Sequence, residues 1–152
     1  MGTPASTAND LTISISQEVR VKASLEATFA AILDEMGPRF SGEDGKSLRM
    51  KIEARPGGRW YRDLGDDNGH LWGHVQAIKR PTLLEFTGPL MMSYAAVSNI
   101  QYRLSPVDGG TLITFKRSAM GMMPEDDRTG MTEGWADLLD RVRRNAEGGA
   151  PS

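Results

Sequence analysis

SYAAVSNIQYRLSPVDGGTLITFKRSAM, from Ser93 to Met120, is the stretch that decides the fold. Ser93 to Leu104 reads as one long strand, with the even-numbered residues Tyr94, Ser98, Ile100 and Tyr102 on one face. Pro106 to Gly110 reads as a turn, and Thr111 to Met120 as the partner strand, with Ile113, Phe115 and Arg117 sharing a parity. Two long strands joined by so short a link run antiparallel. Their apolar face needs a cover, and the chain supplies one next. Pro124 suits the first turn of a helix, and Met131, Trp135, Leu138, Leu139 and Val142 recur at helical spacing. Arg141, Arg143 and Arg144 suit the end of that helix, where the helix dipole favours cations.

Upstream, Leu11, Ile13 and Ile15 alternate with Thr12, Ser14 and Ser16, a strand that continues through Val19 and Val21. Ser24 is a good N-cap. After it Leu25, Phe29, Ile32, Leu33 and Met36 form one face of a helix that Gly37-Pro38 ends. Phe40 to Lys46 is a polar loop or short irregular helix. Leu48 to Ala54 alternates as a strand, Pro56-Gly57-Gly58 is a turn, and Arg59 to Leu64 returns to a hairpin tip at Gly65 to Gly69. His70 to Lys79 and Leu83 to Thr87 follow, broken at Pro81 and closed by Gly88-Pro89. The pattern predicts an α+β fold in which a curved antiparallel sheet of about six to seven strands wraps a long C-terminal helix, with an N-terminal strand and helix. Residues 11–146 are expected to form the single domain, with 1–10 a flexible leader and 147–152 a flexible tail.

At 152 residues the chain has the size of one domain. With no cysteine it has neither disulfides nor thiolate ligands. A net charge of -2, with the charges mixed along the chain, argues against nucleic-acid binding. No apolar run is long enough to span a membrane, and the first ten residues lack the pattern of a secretory signal. A cytoplasmic location is expected.

The strings Arg55-Pro56-Gly57-Gly58-Arg59-Trp60, Gly73-His74-Val75 with Pro81 and Leu84, Gly109-Gly110-Thr111-Leu112-Ile113, and Gly134-Trp135 with Leu138 and Leu139 stand in this order across Leu11 to Arg144. In order and spacing they resemble the START-like (SRPBCC) superfamily with its helix-grip fold, in the Bet v 1-like branch named after activators of the 90-kDa heat-shock chaperone ATPase. The resemblance implies a cavity between the sheet and the last helix. It also implies an apolar small-molecule ligand such as a lipid, polyketide or hormone, and in a minority of members cyclisation or hydrolysis. Chaperone activators of this branch carry a separate chaperone-gripping domain, for which a one-domain chain has no room.

Motifs with a sharper chemistry do not complete themselves. His70 and His74 have the outer spacing of a helical zinc motif without its Glu, and on a strand they share a face about 13 Å apart, too far for one metal. Gly42, Gly45, Lys46 and Ser47 lack the opening glycine of a P-loop. Gly65 to Gly69 lacks the last carboxylate of a calcium loop. No serine sits in a nucleophile elbow. No catalytic residue, metal or cofactor is therefore assigned.

The candidate site is a ligand pocket. Trp60, Trp72 and Trp135 are its large apolar bodies, with Trp72 and Trp135 as opposite walls and His74 beside Trp72. Phe115 and Leu138 add apolar surface, and Tyr94 and Tyr102 are its polar anchors. If its parity is inward, Arg117 is a buried cation that needs a carboxylate or an anionic ligand. Among the nine methionines, Met120 and Met123, with Gly121 between them, form the expected rim, facing a Leu90 to Ser93 loop. The first functional reading is a binding module for an apolar or amphipathic small molecule. An interaction or chaperone-associated module, including a homodimer, is the second, and a hydrolase or cyclase on the same scaffold the third.

Overall fold

Ser24 begins the first helix as its composition predicts. Its backbone is extended and its hydroxyl accepts from the Ala27 amide at 3.1 Å, satisfying one of the orphan donors of a helix start. The helix α1 runs Leu25–Met36, stops at Gly37, and buries Phe29, Ala31, Ile32 and Met36. The computed structural model describes residues 11–42, 44–91, 93–122 and 125–148, with side chains of 125–133 outside that description.

Seven strands follow the expected order: β1 (Thr12–Val21), β2 (Met50–Ile52), β3 (Arg59–Gly65), β4 (Asn68–Lys79), β5 (Leu83–Gly88), β6 (Ala96–Val107) and β7 (Gly110–Gly121). They form one antiparallel sheet in the order β1-β7-β6-β5-β4-β3-β2. The C-terminal helix α2 spans Glu125–Ala146. Its Trp135, Leu138, Leu139 and Val142 are buried in the core with α1 and the inner face of the sheet. Asn145 joins the two helices, donating to Asp34 at 2.9 Å and to the buried Glu35 at 2.8 Å. Glu147 accepts from the Lys22 amide at 2.8 Å and pairs with Arg143 at 3.0 Å. Among the described residues, no helix is long and apolar enough to cross a membrane.

Several boundaries differ from the sequence pattern. Only Met50–Ile52 of the Leu48 to Ala54 alternation is strand; it starts late because Arg49 has a left-handed φ of 54°. Pro106 lies inside β6, opposite Thr111, and the turn is Asp108-Gly109. β5 ends its pairing opposite Arg103 and the Leu104 amide still bonds the Thr82 carbonyl at 2.9 Å, but at Pro106 β6 has β7 alone beside it, and a residue without an N–H is tolerated. The β3–β4 tip is a two-residue turn with Asp66 and Asp67 at φ of 53° and 61°, the twist that suits a tight hairpin.

β4 carries two bulges. Trp60 is opposite Gly73 while Tyr61 is opposite Leu71, and Val75 is opposite Phe86 while Ala77 is opposite Glu85. Each extra residue flips the parity. Trp72 and Val75, three apart, are both buried, and Leu71 and His74 are exposed. Next to this irregularity Gly73 and Gly88 face each other. A Cβ on Gly88 would stand 2.4 Å from the Gly73 Cα and from the Trp72 carbonyl oxygen.

The turn after β2 is held by charge. Glu53 accepts from the Arg59 amide at 2.9 Å and its Nε at 2.8 Å through Oε1, and from Nη2 at 3.2 Å through Oε2. These bonds, and Arg59's in particular, pull the Glu53 carboxyl down to about 2 from 4.5.

Two outcomes follow from these contacts. Gly88→Ala should destabilise the protein by about 2 kcal/mol in urea unfolding, because backbone atoms block the methyl group; an unchanged midpoint would show that the two strands can part there. Glu53 should titrate near pH 2 by carboxyl NMR. Its folded value lies below its unfolded one, so its stabilisation is complete above pH 4.5 and fades as the pH falls through about 2. Arg59→Ala should return the midpoint towards the ordinary range.

Candidate functional site

The inner face of the sheet divides into two regions of different character. Under the end of α1, aromatic rings pack on one another. Trp60 meets Phe40, Trp72 and Phe86 at centroid distances of 6.0, 5.3 and 5.1 Å. The Trp60 indole N–H donates to the Met36 carbonyl at 2.7 Å, and the Trp72 N–H to His70 Nδ1 at 3.2 Å. Both indole donors are thereby satisfied.

Under α2 the strands bring a different set together. Ile15 and Ile100 flank Arg117 in the sheet, and Phe115 lies between Gln17 and Tyr102. The rings of Tyr102 and Phe115 are 5.1 Å apart, Phe115 stacks on Trp135 at 5.3 Å, and the Arg117 guanidinium lies 5.4 Å from the Trp135 ring. Such a cation–π contact offsets part of the desolvation. Arg117 is only 2% exposed. Its Nη2 donates a long 3.4 Å bond to Ser98 Oγ, and its Nε has no partner. No carboxylate among the described residues pairs with it; its titrating neighbours are the phenols of Tyr94 and Tyr102. Burial lowers the Arg117 pKa to about 10, below the usual guanidinium range, so the group is a buried cation at neutral pH.

The sequence-predicted residues therefore separate. Tyr102, Phe115, Arg117 and Trp135 converge, with the half-buried Tyr94 at the approach to β6. Burial raises the Tyr102 pKa, and its hydroxyl is taken by Met36 Sδ at 3.3 Å. Leu138 is buried in the core. Trp60 and Trp72 belong to the other region and pack on each other rather than forming a wall opposite Trp135. Two residues correct the expected lining. His74 pairs with the outward Arg59 and is exposed, because the first β4 bulge puts it and the inward His70 on opposite faces. Met120 alternates with the buried Ala119 and is 60% exposed on the outer face, opposite Val97. Met123 lies outside the described residues. The Met122 amide donates to the Ala95 carbonyl at 2.9 Å.

Gln17 is an inward residue that sequence reasoning missed. It sits in the alternation Ile13, Ile15, Gln17, Val19, Val21, and its Oε1 is buried without a partner. A lone amide in an apolar parity was the available signal.

Comparison with known proteins gives the frame for this site. The family described as "Activator of Hsp90 ATPase homolog 1-like protein" matches residues 22–147. The chain belongs to this family. The family's fold recurs in solved structures of uncharacterised proteins. One from Rhizobium leguminosarum has a TM-score of 0.72 at 19% identity, over 90% of this chain and 95% of that one. The Mll3558 protein from Rhizobium loti gives 0.69 at 22%, over 89% and 97%. EF2215 from Enterococcus faecalis, a conserved protein of unknown function, gives 0.66 at 18%, over 93% and 77%. At these identities the likeness shows the fold alone. No curated protein matches the sequence.

The buried cation has a consequence for stability. Its folded pKa is below its unfolded one, so the desolvation penalty is full below about pH 10 and shrinks as the pH rises above that value. Arg117→Met should raise the melting temperature of the ligand-free protein at pH 7 by about 3–8 °C in calorimetry. A lower melting temperature would show a carboxylate pairing the guanidinium.

Proposed function

We propose that this chain holds an apolar or amphipathic small molecule between the inner face of its sheet and α2. The observation that carries this reading is Arg117, buried under Trp135 with an unmade donor and no carboxylate partner among the described residues. Small-molecule sites combine such apolar walls with a few convergent polar groups. A protein gains no stability from an uncompensated buried cation, and a bound partner supplies what the fold withholds. Family membership supports the reading, because the fold commonly carries ligand-binding or chaperone-associated domains.

A second reading, a protein-interaction module or homodimer, has its own observation. Val97 and Met120 are paired on the outer face at 47% and 60% exposure, with Met91 and Met122 also exposed. Native mass spectrometry of gently purified protein separates the two. We expect a monomer with a reproducible added mass that denaturation removes. An empty dimer that takes up no added amphiphile would overturn the small-molecule reading in favour of the interaction module.

A further inference from the structure

The unmade bonds around Arg117 describe the polar end of the molecule that fits them. In a guanidinium, Nε and one terminal nitrogen point their N–H bonds along the same edge, and that edge accepts both oxygens of a planar acid side by side. Here that edge is Nε with Nη2. Nε has no partner, and among the described residues Nη2 holds only the long 3.4 Å bond to Ser98 Oγ. The Ser98 hydroxyl is itself buried and can donate to an oxygen placed on the fork.

Gln17 adds a second unmet polar group on the same face. It pairs with Phe115, one step along the inward face from the Ile15–Arg117 pair. Diagonal neighbours of this kind are roughly 7 Å apart at their Cβ atoms, within reach of long side chains. A half-turn of its amide presents either the unpartnered oxygen or an N–H.

We infer that the ligand carries a carboxylate, bound side-on to Arg117 Nε and Nη2 beside Ser98, with its apolar part along Phe115 and Trp135. This inference rests on the small-molecule reading. One cation balances one negative charge, whereas a phosphate monoester near its second ionisation brings close to two into a site with a single guanidinium. The fork is also planar, like a carboxylate. The aromatic pair stacks directly beside the charge, so an apolar chain entering there meets rings rather than polar groups.

Isothermal titration of the full chain with octanoate, 1-octanol and octyl phosphate tests this. Octanoate should bind at least about tenfold more tightly than octanol, the usual worth of a charge-assisted hydrogen-bond pair. Arg117→Met should erase that preference while octanol still binds. Arg117→Lys, which keeps the charge without the fork, should fall between, and it serves if the Met variant does not fold. Ser98→Ala should weaken octanoate by about threefold, one lost neutral hydrogen bond. Equal binding of octanoate and octanol to the unmodified protein overturns the carboxylate and leaves the small-molecule reading standing. So does a preference that survives Arg117→Met, or tighter binding of octyl phosphate. Binding of none of the three overturns both.

Discussion

Met36, the last residue of α1, ties the helix to the sheet. Its carbonyl, one of the oxygens a helix end leaves unpaired, receives the Trp60 indole N–H at 2.7 Å. Its sulfur receives the Tyr102 hydroxyl at 3.3 Å. One buried residue thus ties the helix end to β3 through its backbone and to β6 through its side chain, and both donors are buried completely with it. The consequence runs through the inner face. Trp60 and Tyr102 carry donors that a pocket would otherwise use, and both are already committed to the core. Phe40, Trp72 and Phe86 close around Trp60, so the region under α1 is packed. Unmet polar atoms of the inner sheet face stand at both ends: Arg62 Nε on β3, and Arg117 Nε and Gln17 Oε1 on the strands at α2's side of the fold.

Much of this architecture was legible because its signals are local. Ser24 and Gly37 bracket α1 through capping chemistry. The period-two runs of β6 and β7 are unbroken, so the inward placement of Tyr102, Phe115 and Arg117 follows directly from parity. The strand order and the family strings agree with each other and with the helix-grip arrangement. What failed is what parity cannot carry. The β4 bulges insert residues that no composition rule marks, and they moved His74 to the outside. Pro106 reads as a turn residue, yet its place beyond the end of β5's pairing lets it remain in a strand.

The site was legible only as an inventory. Arg117 was marked by its parity, but nothing in the sequence says whether an inward arginine meets a carboxylate, since that depends on what crosses from other elements. Met120 was read by its neighbourhood at a strand end, while the alternation of β7 decides its face. Gln17 was passed over because the strand around it is convincing, and one amide does not break an alternation. Its importance comes from burial without a partner, which is a property of the packed fold.

The distribution of the three indoles divides the protein optically. Trp60 and Trp72 stand 5.3 Å apart with their planes at 81°, close enough for their electronic transitions to couple and to contribute to circular dichroism as a pair. Trp135 stands outside that pair, with a charge 5.4 Å from its ring, and its emission senses the local field. The dichroism of the first two therefore reports on the packed region beneath α1. The part of the emission that Trp135 contributes reports on the charge beneath α2, so a change in the core and a change in the site leave different optical traces.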